Sequence, residues 1–427
     1  MASRDLHVYE SFLSTMGMGL ALSFVGPVTE ELLRKAFHCT QKEHPILRMV
    51  IEETDDSKKT FVEKLDREME LEVSQQSELE VGKLLTGWLN QPRDHAKSQT
   101  YFKYCPPHGT RAEHLLLVVA NHSGMDGPGM LHIFASFCGY LGELASGNEV
   151  VEPKSREFCD ILGRAVLPEG LNKPQVPEDI LDGPAVEKAE VVEGETPGIR
   201  HIHEKLSSET TAKLIQTSRS LGYTIQGAIC AAMMMSAAKT VQESHPLPQK
   251  MACVAPANMR QRVNPPLEAE DNVCGSAGLW WWQTISSDQK LADVAATATK
   301  EVRKCLEQGF GFGFWKWLQE EFWMPKYTVM GTTLGVSPIK PQYGNLEVTD
   351  VLFGGASYGA DPGENAAFMR HISTFRGQLG MAFAHTWPAI SDTSARKIMQ
   401  TEMKCMQILA GPDASTTTVG EFLRQSD

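Results

Sequence analysis

Cysteine pairing is the first thing missing from this 427-residue chain. Its nine cysteines, at positions 39, 105, 138, 159, 230, 253, 274, 305 and 405, form no C-x-x-C pair, and most sit in apolar runs. An odd, scattered set of this kind excludes a disulfide framework and reads as reduced, buried thiols. A positive excess is missing too, since 40 Lys and Arg against 53 Asp and Glu leave a net charge of −13. Tracking phosphates takes the opposite balance, so nonspecific binding to nucleic acid or an anionic membrane is excluded. Long apolar runs are absent as well. The longest, Ile225 to Ala238, contains polar residues and falls short of the roughly 20 residues that span a bilayer. The first residues, Met-Ala-Ser-Arg-Asp-Leu-His, carry no apolar signal core. No internal repeat is visible. These absences lead us to expect a soluble, cytoplasmic protein with no membrane span and no nucleic-acid partner.

What is present is ordinary globular material, 42% hydrophobic and 22% charged, with enough length for about two or three domains. Strands are expected at Gly19–Val25, Ile46–Ile51, Tyr101–Tyr104 and Leu115–Ala120, and helices over residues 27–44 and 81–89 and after Gly127. Prolines at 153, 168, 174, 177, 184 and 197, mixed with Glu and Gly, then break all periodicity. A long connection of this kind usually joins structured halves. We therefore expect an N-terminal domain over 1–165, a crossover over 166–199 and a C-terminal domain over 200–427. In the last of these, a strand at Arg200–Leu206 leads to two helices ending near Val241. Strands follow around 251–255, 278–284, 327–332, 346–353, 367–375 and 378–386, with helices over 291–306 and 393–409. This mixture predicts an α+β fold.

Chemistry concentrates in Asn121-His122-Ser123-Gly124-Met125-Asp126-Gly127. A buried strand ends there, a helix begins there, and the glycines allow tight turns or close backbone approach. A histidine so placed sits at the rim of a sheet, with a carboxylate four positions on. Other polar patterns are weaker. His201 and His203 alternate onto one strand face without a third ligand at a recognisable spacing, so no metal is expected. Trp280, Trp281 and Trp282 send rings to both faces of a strand. One belongs in a core, and Trp280 or Trp282 is a candidate wall for an apolar substrate pocket.

His122, Asp126 and Gly127 match the H-x-x-x-D-G signature of the CoA-dependent acyltransferase superfamily. Its members include chloramphenicol acetyltransferase, peptide-synthetase condensation domains, plant BAHD enzymes, and alcohol and trichothecene acetyltransferases. Further matches stand in the family's order. Leu32-Leu33-x-x-Ala36-Phe37 and Glu43-His44-Pro45-Ile46-Leu47-Arg48 resemble its opening helix and second-strand approach. Leu206 to Ala232 resembles the helix pair that opens the second half. Asn258-x-Arg260-x-Arg262 resembles the N-x-R-x-R strand end of the alcohol acyltransferase branch, and Gly331-Thr332-Thr333-Leu334-Gly335 stands where an S-N-x-G-like strand end often falls. Two departures favour the alcohol acetyltransferase or condensation branch over the plant one. Asn121 stands where many members have a first histidine, and D-F-G-W-G has only Phe353-Gly354-Gly355 as a loose echo.

The resemblance implies two similar domains of mixed sheets flanked by helices, with a tunnel between them. It implies an acyltransferase (EC 2.3.1.-) that moves an acyl, expectedly acetyl, group from CoA to the hydroxyl of a small, largely apolar alcohol. Acetyl-CoA is then a co-substrate and no cofactor is permanently bound. His122 would be the general base, Asp126 would pair with Arg260 and hold the loop with Gly127, and Thr332 and Thr333 are candidate oxyanion donors. We expect a monomer. Amine acceptors, carrier-protein thioesters and a non-catalytic condensation-like binding protein are the alternatives.

Overall fold

The computed structural model describes residues 3–425 apart from 54–57, 68, 75–79, 110, 192, 272 and 358–366. Two compact units emerge, and neither is continuous in sequence. The first comprises Met1–Ala165, Asn258–Ser276 and Val336–Gly359. The second comprises Val166–Ala257, Ala277–Gly335 and Ala360–Asp427. The expected single C-terminal domain over 200–427 is thus corrected, because two of its segments belong to the first unit, while 166–199 joins the second. Backbone pairing supplies the reason for one of those segments. Leu346–Ser357 lies antiparallel to Met16–Val25, with Val348 opposite Phe24 and Gly354 opposite Gly19.

The main sheet of the first unit has six strands, in the order Gln342–Tyr343, Leu346–Ser357, Met16–Val25, His114–Asn121, Thr100–Cys105 and Leu71–Val73. Its neighbours pair antiparallel except Leu71–Val73, which is parallel to Thr100–Cys105. All eight residues of His114–Asn121 are buried, which explains the unbroken apolar run in the sequence, since a strand covered on both faces has no polar side to show. Helix Glu30–Glu43 packs on helix Gly127–Ala145, and Val81–Leu89 packs on the central strands. A smaller sheet joins Ser3–Asp5, Lys59–Glu63 and Met49–Glu53. The strand expected from Ile46 starts only at Met49, because Pro45–Arg48 form a 3-10 turn. Arg48 explains the turn: its guanidinium reaches Glu63 at 2.8 Å and the Lys42 carbonyl at 3.0 Å, anchoring the chain before it extends.

The second unit holds another mixed six-stranded sheet, ordered Ser276–Ile285, Gln249–Asn258, Val329–Val336, Phe368–Phe375, Gln378–Trp387 and Gly198–Lys205. Helix Ile225–Val241 lies against helices Leu291–Glu307 and Asp392–Ala410. Every residue from Gly227 to Ala238 is buried, so this stretch has no polar face, and Met233, Met234 and Met235 are fully enclosed. Gly227 lets it approach its neighbour, since a Cβ there would lie 2.4 Å from the Ala295 carbonyl. Ser207, Thr224 and Ser391 cap the starts of three helices, each accepting a backbone N–H. Beneath the sheet, Arg370 and Glu402 form a fully buried ion pair to which Ser236 adds a 2.8 Å hydrogen bond. No single helix among the described residues is long and apolar enough to cross a membrane.

Candidate active site

The His114–Asn121 strand delivers His122 to a turn that is bonded at both ends. Asn121 donates to the Ser14 carbonyl at 2.9 Å and accepts from the Ser123 amide at 2.9 Å. The His122 amide donates to the Met16 carbonyl at 3.0 Å. Gly124 passes so near Ile46 that a Cβ would lie 2.2 Å from its Cδ1. Asp126 closes the turn as N-cap of helix Gly127–Ala145, accepting from the Gly129 amide at 2.9 Å, while Gly127 opens the helix.

Asp126 is also one half of a buried fork. Arg260 donates to it through Nη1 at 2.7 Å and Nη2 at 2.9 Å, and both side chains are 1% exposed. The Gly275 amide adds a bond to Oδ2 at 2.9 Å. The guanidinium donates further to the Val273 carbonyl at 2.7 Å and to Asn258 Oδ1 at 3.3 Å. Burial by itself would raise the Asp126 carboxyl, but the Arg260 charge and the hydrogen bonds outweigh it and hold it below the usual carboxylate range. A buried carboxylate that stays ionised in this way needs such a partner.

His122 makes no ion pair of this kind. Its Nδ1 lies 2.9 Å from the Met125 carbonyl. A carbonyl only accepts, so Nδ1 must carry the proton and Nε2 presents a lone pair. Desolvation lowers the imidazole below its ordinary value, against weaker opposing pulls from backbone carbonyls and Asp126. The residue nevertheless keeps part of its surface open to solvent. A neutral, partly reachable imidazole with its lone pair on Nε2 is equipped to accept a proton from a nucleophile.

His122, Asp126, Gly127 and Arg260 therefore come together in the first unit. Thr332 and Thr333 lie in the second, half-buried on strand Val329–Val336, and Thr333 Oγ1 has no hydrogen-bond partner among the described residues. Trp280 is a core ring, 4.9 Å from Phe314 and 5.9 Å from Trp323 between centroids. With Trp282, Leu171, Cys305 and Phe310 it also borders a cavity of about 650 Å³ in the second unit. The aromatic residues from Phe310 to Phe314 open helix Phe310–Glu321. His201 and His203 stack with centroids 6.0 Å apart. No cluster of three or more His, Cys, Asp or Glu able to hold a metal occurs among the described residues. Sequence reasoning missed the Met125 carbonyl, Gly275 and Cys274, whose Sγ lies 3.8 Å from His122 Nδ1. Nothing near Cys274 in the sequence marks it.

Comparison with known proteins adds to this geometry. Residues 197–383 match the family model of the phthiocerol/phthiodiolone dimycocerosyl transferase C-terminus. The solved structure of polyketide synthase associated protein 5 from Mycobacterium tuberculosis aligns with a TM-score of 0.71 at 14% identity, covering 96% of this chain and 99% of that one. TRI3 trichothecene 15-O-acetyltransferase from Fusarium sporotrichioides aligns with a TM-score of 0.73 at 11% identity, over 95% of each chain. A starter condensation domain of rhizomide synthetase, in complex with C8-CoA, aligns with a TM-score of 0.66 at 14% identity, over 98% of this chain and 97% of that one. No curated protein sequence matches the chain. Along nearly its whole length the chain thus has the two-unit α+β fold of these acyltransferases and condensation domains, and residues 197–383 resemble the transferase C-terminus in sequence as well.

Proposed function

We propose that this protein transfers an acyl group, in the first instance acetyl, from CoA to the hydroxyl of a small, largely apolar alcohol. The observation that carries the reading is the His122 ring, whose Nδ1 proton is committed to the Met125 carbonyl at 2.9 Å, which leaves the lone pair on Nε2. Nε2 takes the hydroxyl proton as the oxygen attacks the thioester carbonyl. The tetrahedral intermediate then collapses, the C–S bond breaks, and the imidazolium returns the proton to the departing thiolate. Atoms balance without an acyl-enzyme, so the transfer runs through a ternary complex. Asp126 and Arg260 hold the turn and touch no substrate. Thr332 and Thr333 are kept as candidate oxyanion donors, and Trp280 and Trp282 as candidate walls for an apolar acceptor. A similar protein bound to C8-CoA supports a CoA thioester as donor, and an acetyltransferase of similar fold supports a hydroxyl acceptor.

The test is thiol release from acetyl-CoA by purified protein across a panel of alcohols and matching amines, with an acyl-carrier-protein thioester as the competing donor. Turnover that His122→Ala abolishes supports the reading. Thiol release that His122→Ala leaves unchanged overturns the mechanism. Turnover only with the carrier thioester, or only with amines, transfers the same chemistry to the condensation-like or N-acylating alternative.

A further inference from the structure

Among the described residues, Cys274 brings a side chain to the His122 ring from outside its own turn. Its Sγ lies 3.8 Å from Nδ1 and 3.7 Å from Ser276 Oγ. Ser276 is fixed in turn by Tyr9, whose hydroxyl donates to the Ser276 carbonyl at 2.7 Å. The backbone on each side of Cys274 is tied to the buried ion pair. Val273 accepts from Arg260 at 2.7 Å, and the Gly275 amide donates to Asp126 at 2.9 Å. The thiol is therefore delivered to the Nδ1 edge by a chain clamped at both neighbours. It is 1% exposed, and Tyr9 behind it is 6% exposed.

What a thiol does there follows from what it cannot do. Sulfur is a weak acceptor and S–H a weak donor, so it competes poorly with the Met125 carbonyl for the Nδ1 proton. Burial pushes the Cys274 thiol up to about 12, so no thiolate forms to stabilise an imidazolium. Water or a carboxylate in the same place would do so. The other titratable groups bearing on this corner are Asp126 with Arg260 behind it, Tyr9 beyond Ser276, and Glu10, which acts on Cys274.

We propose that Cys274 is a positioning residue for His122, a neutral plug over the Nδ1 edge. It keeps water from that edge, leaves the Nδ1 proton to Met125, and so holds Nε2 as the unprotonated nitrogen. Its purpose rests on the acyl-transfer reading, but its test does not.

The experiment is nitrogen-15 NMR of the labelled full chain, with the His122 signals identified by their loss in His122→Gln. The wild type is expected in the Nδ1–H tautomer with a titration midpoint below that of free histidine. Cys274→Ala admits water and is expected to raise the midpoint by about half to one pH unit and to mix the tautomers. Cys274→Val refills the space with an apolar group and is expected to restore both. Cys274→Ser, nearly the same size, covers the case in which the alanine variant does not fold, and is expected to shift the midpoint upward too. Identical midpoints and tautomers in all folded variants overturn the proposal, as does a valine variant that behaves like alanine. A shifted midpoint without turnover on any acyl donor keeps the proposal and sinks the acyl-transfer reading. Turnover with an unmoved midpoint does the reverse.

Discussion

Gly275 touches Arg260 at a distance that no other residue permits: a Cβ on it would lie 2.7 Å from Nη1 and 3.1 Å from Cζ. The guanidinium is stacked onto bare backbone, and the Asp126 fork depends on that space. Gly275→Ala is expected to push Arg260 off its carboxylate and to destabilise the chain by at least about 2 kcal/mol. Gly87 is the internal control, being in the last turn of helix Val81–Leu89 with nothing within 4 Å of where an added Cβ would stand. Gly87→Ala is expected to stabilise by roughly 0.5–1 kcal/mol, because only the unfolded chain loses freedom. Denaturant titration of both variants checks the opposite signs.

Removing one member of the fork should cost more than distorting it. Asp126→Ala leaves a fully buried guanidinium unpaired and is expected to cost about 3–5 kcal/mol. Arg260→Lys keeps the charge but loses the two-pronged geometry, so most of the penalty should persist. Equal stability of Arg260→Lys and wild type in urea unfolding would contradict the role given to the fork.

The pH profile carries a definite sign. A general base works only when neutral, and burial lowers the His122 value below the ordinary 6.5. Activity expressed as kcat/KM should therefore persist at pH values where a free histidine is half protonated, and fall only below that point. An acid limb centred above 6.5 would show that the imidazolium, not the neutral ring, is favoured.

Gly124 and Ile46 are also coupled, since a Cβ at 124 would lie 2.2 Å from Ile46 Cδ1. Gly124→Ala is expected to cost about 1–3 kcal/mol by overpacking. Ile46→Val removes the clashing methyl, so the double variant should lose less than the sum of the two single losses. A thermodynamic cycle on these four proteins measures the difference.

Much of this arrangement is legible in the amino-acid order, but unevenly. The apolar run Leu115–Ala120, the glycine-bearing turn and the periodic face after Met130 carry the strand, turn and helix in consecutive residues, so local pattern suffices. Asp126 and Arg260 lie 134 residues apart, and only a family resemblance suggests that pairing. Cys274 meets His122 across 152 residues with no motif to mark it. The alternation in 346–353 announces a strand, yet period-two patterning says nothing about which sheet edge it joins. That is why the reading of 200–427 as one domain misses the return of Leu346–Ser357 to Met16–Val25. Arg48 breaks the Ile46 strand through side-chain bonds, which hydrophobic periodicity cannot register.

The return of that strand also sets an order of events during synthesis. Until residue 357 leaves the ribosome, Met16–Val25 has one hydrogen-bonding edge without its partner, and an open edge of buried apolar residues is what recruits other chains. A fragment ending near residue 165 would inherit the same exposed flank permanently. The amino-terminal portion must therefore wait, incompletely closed, for most of the polypeptide to be made.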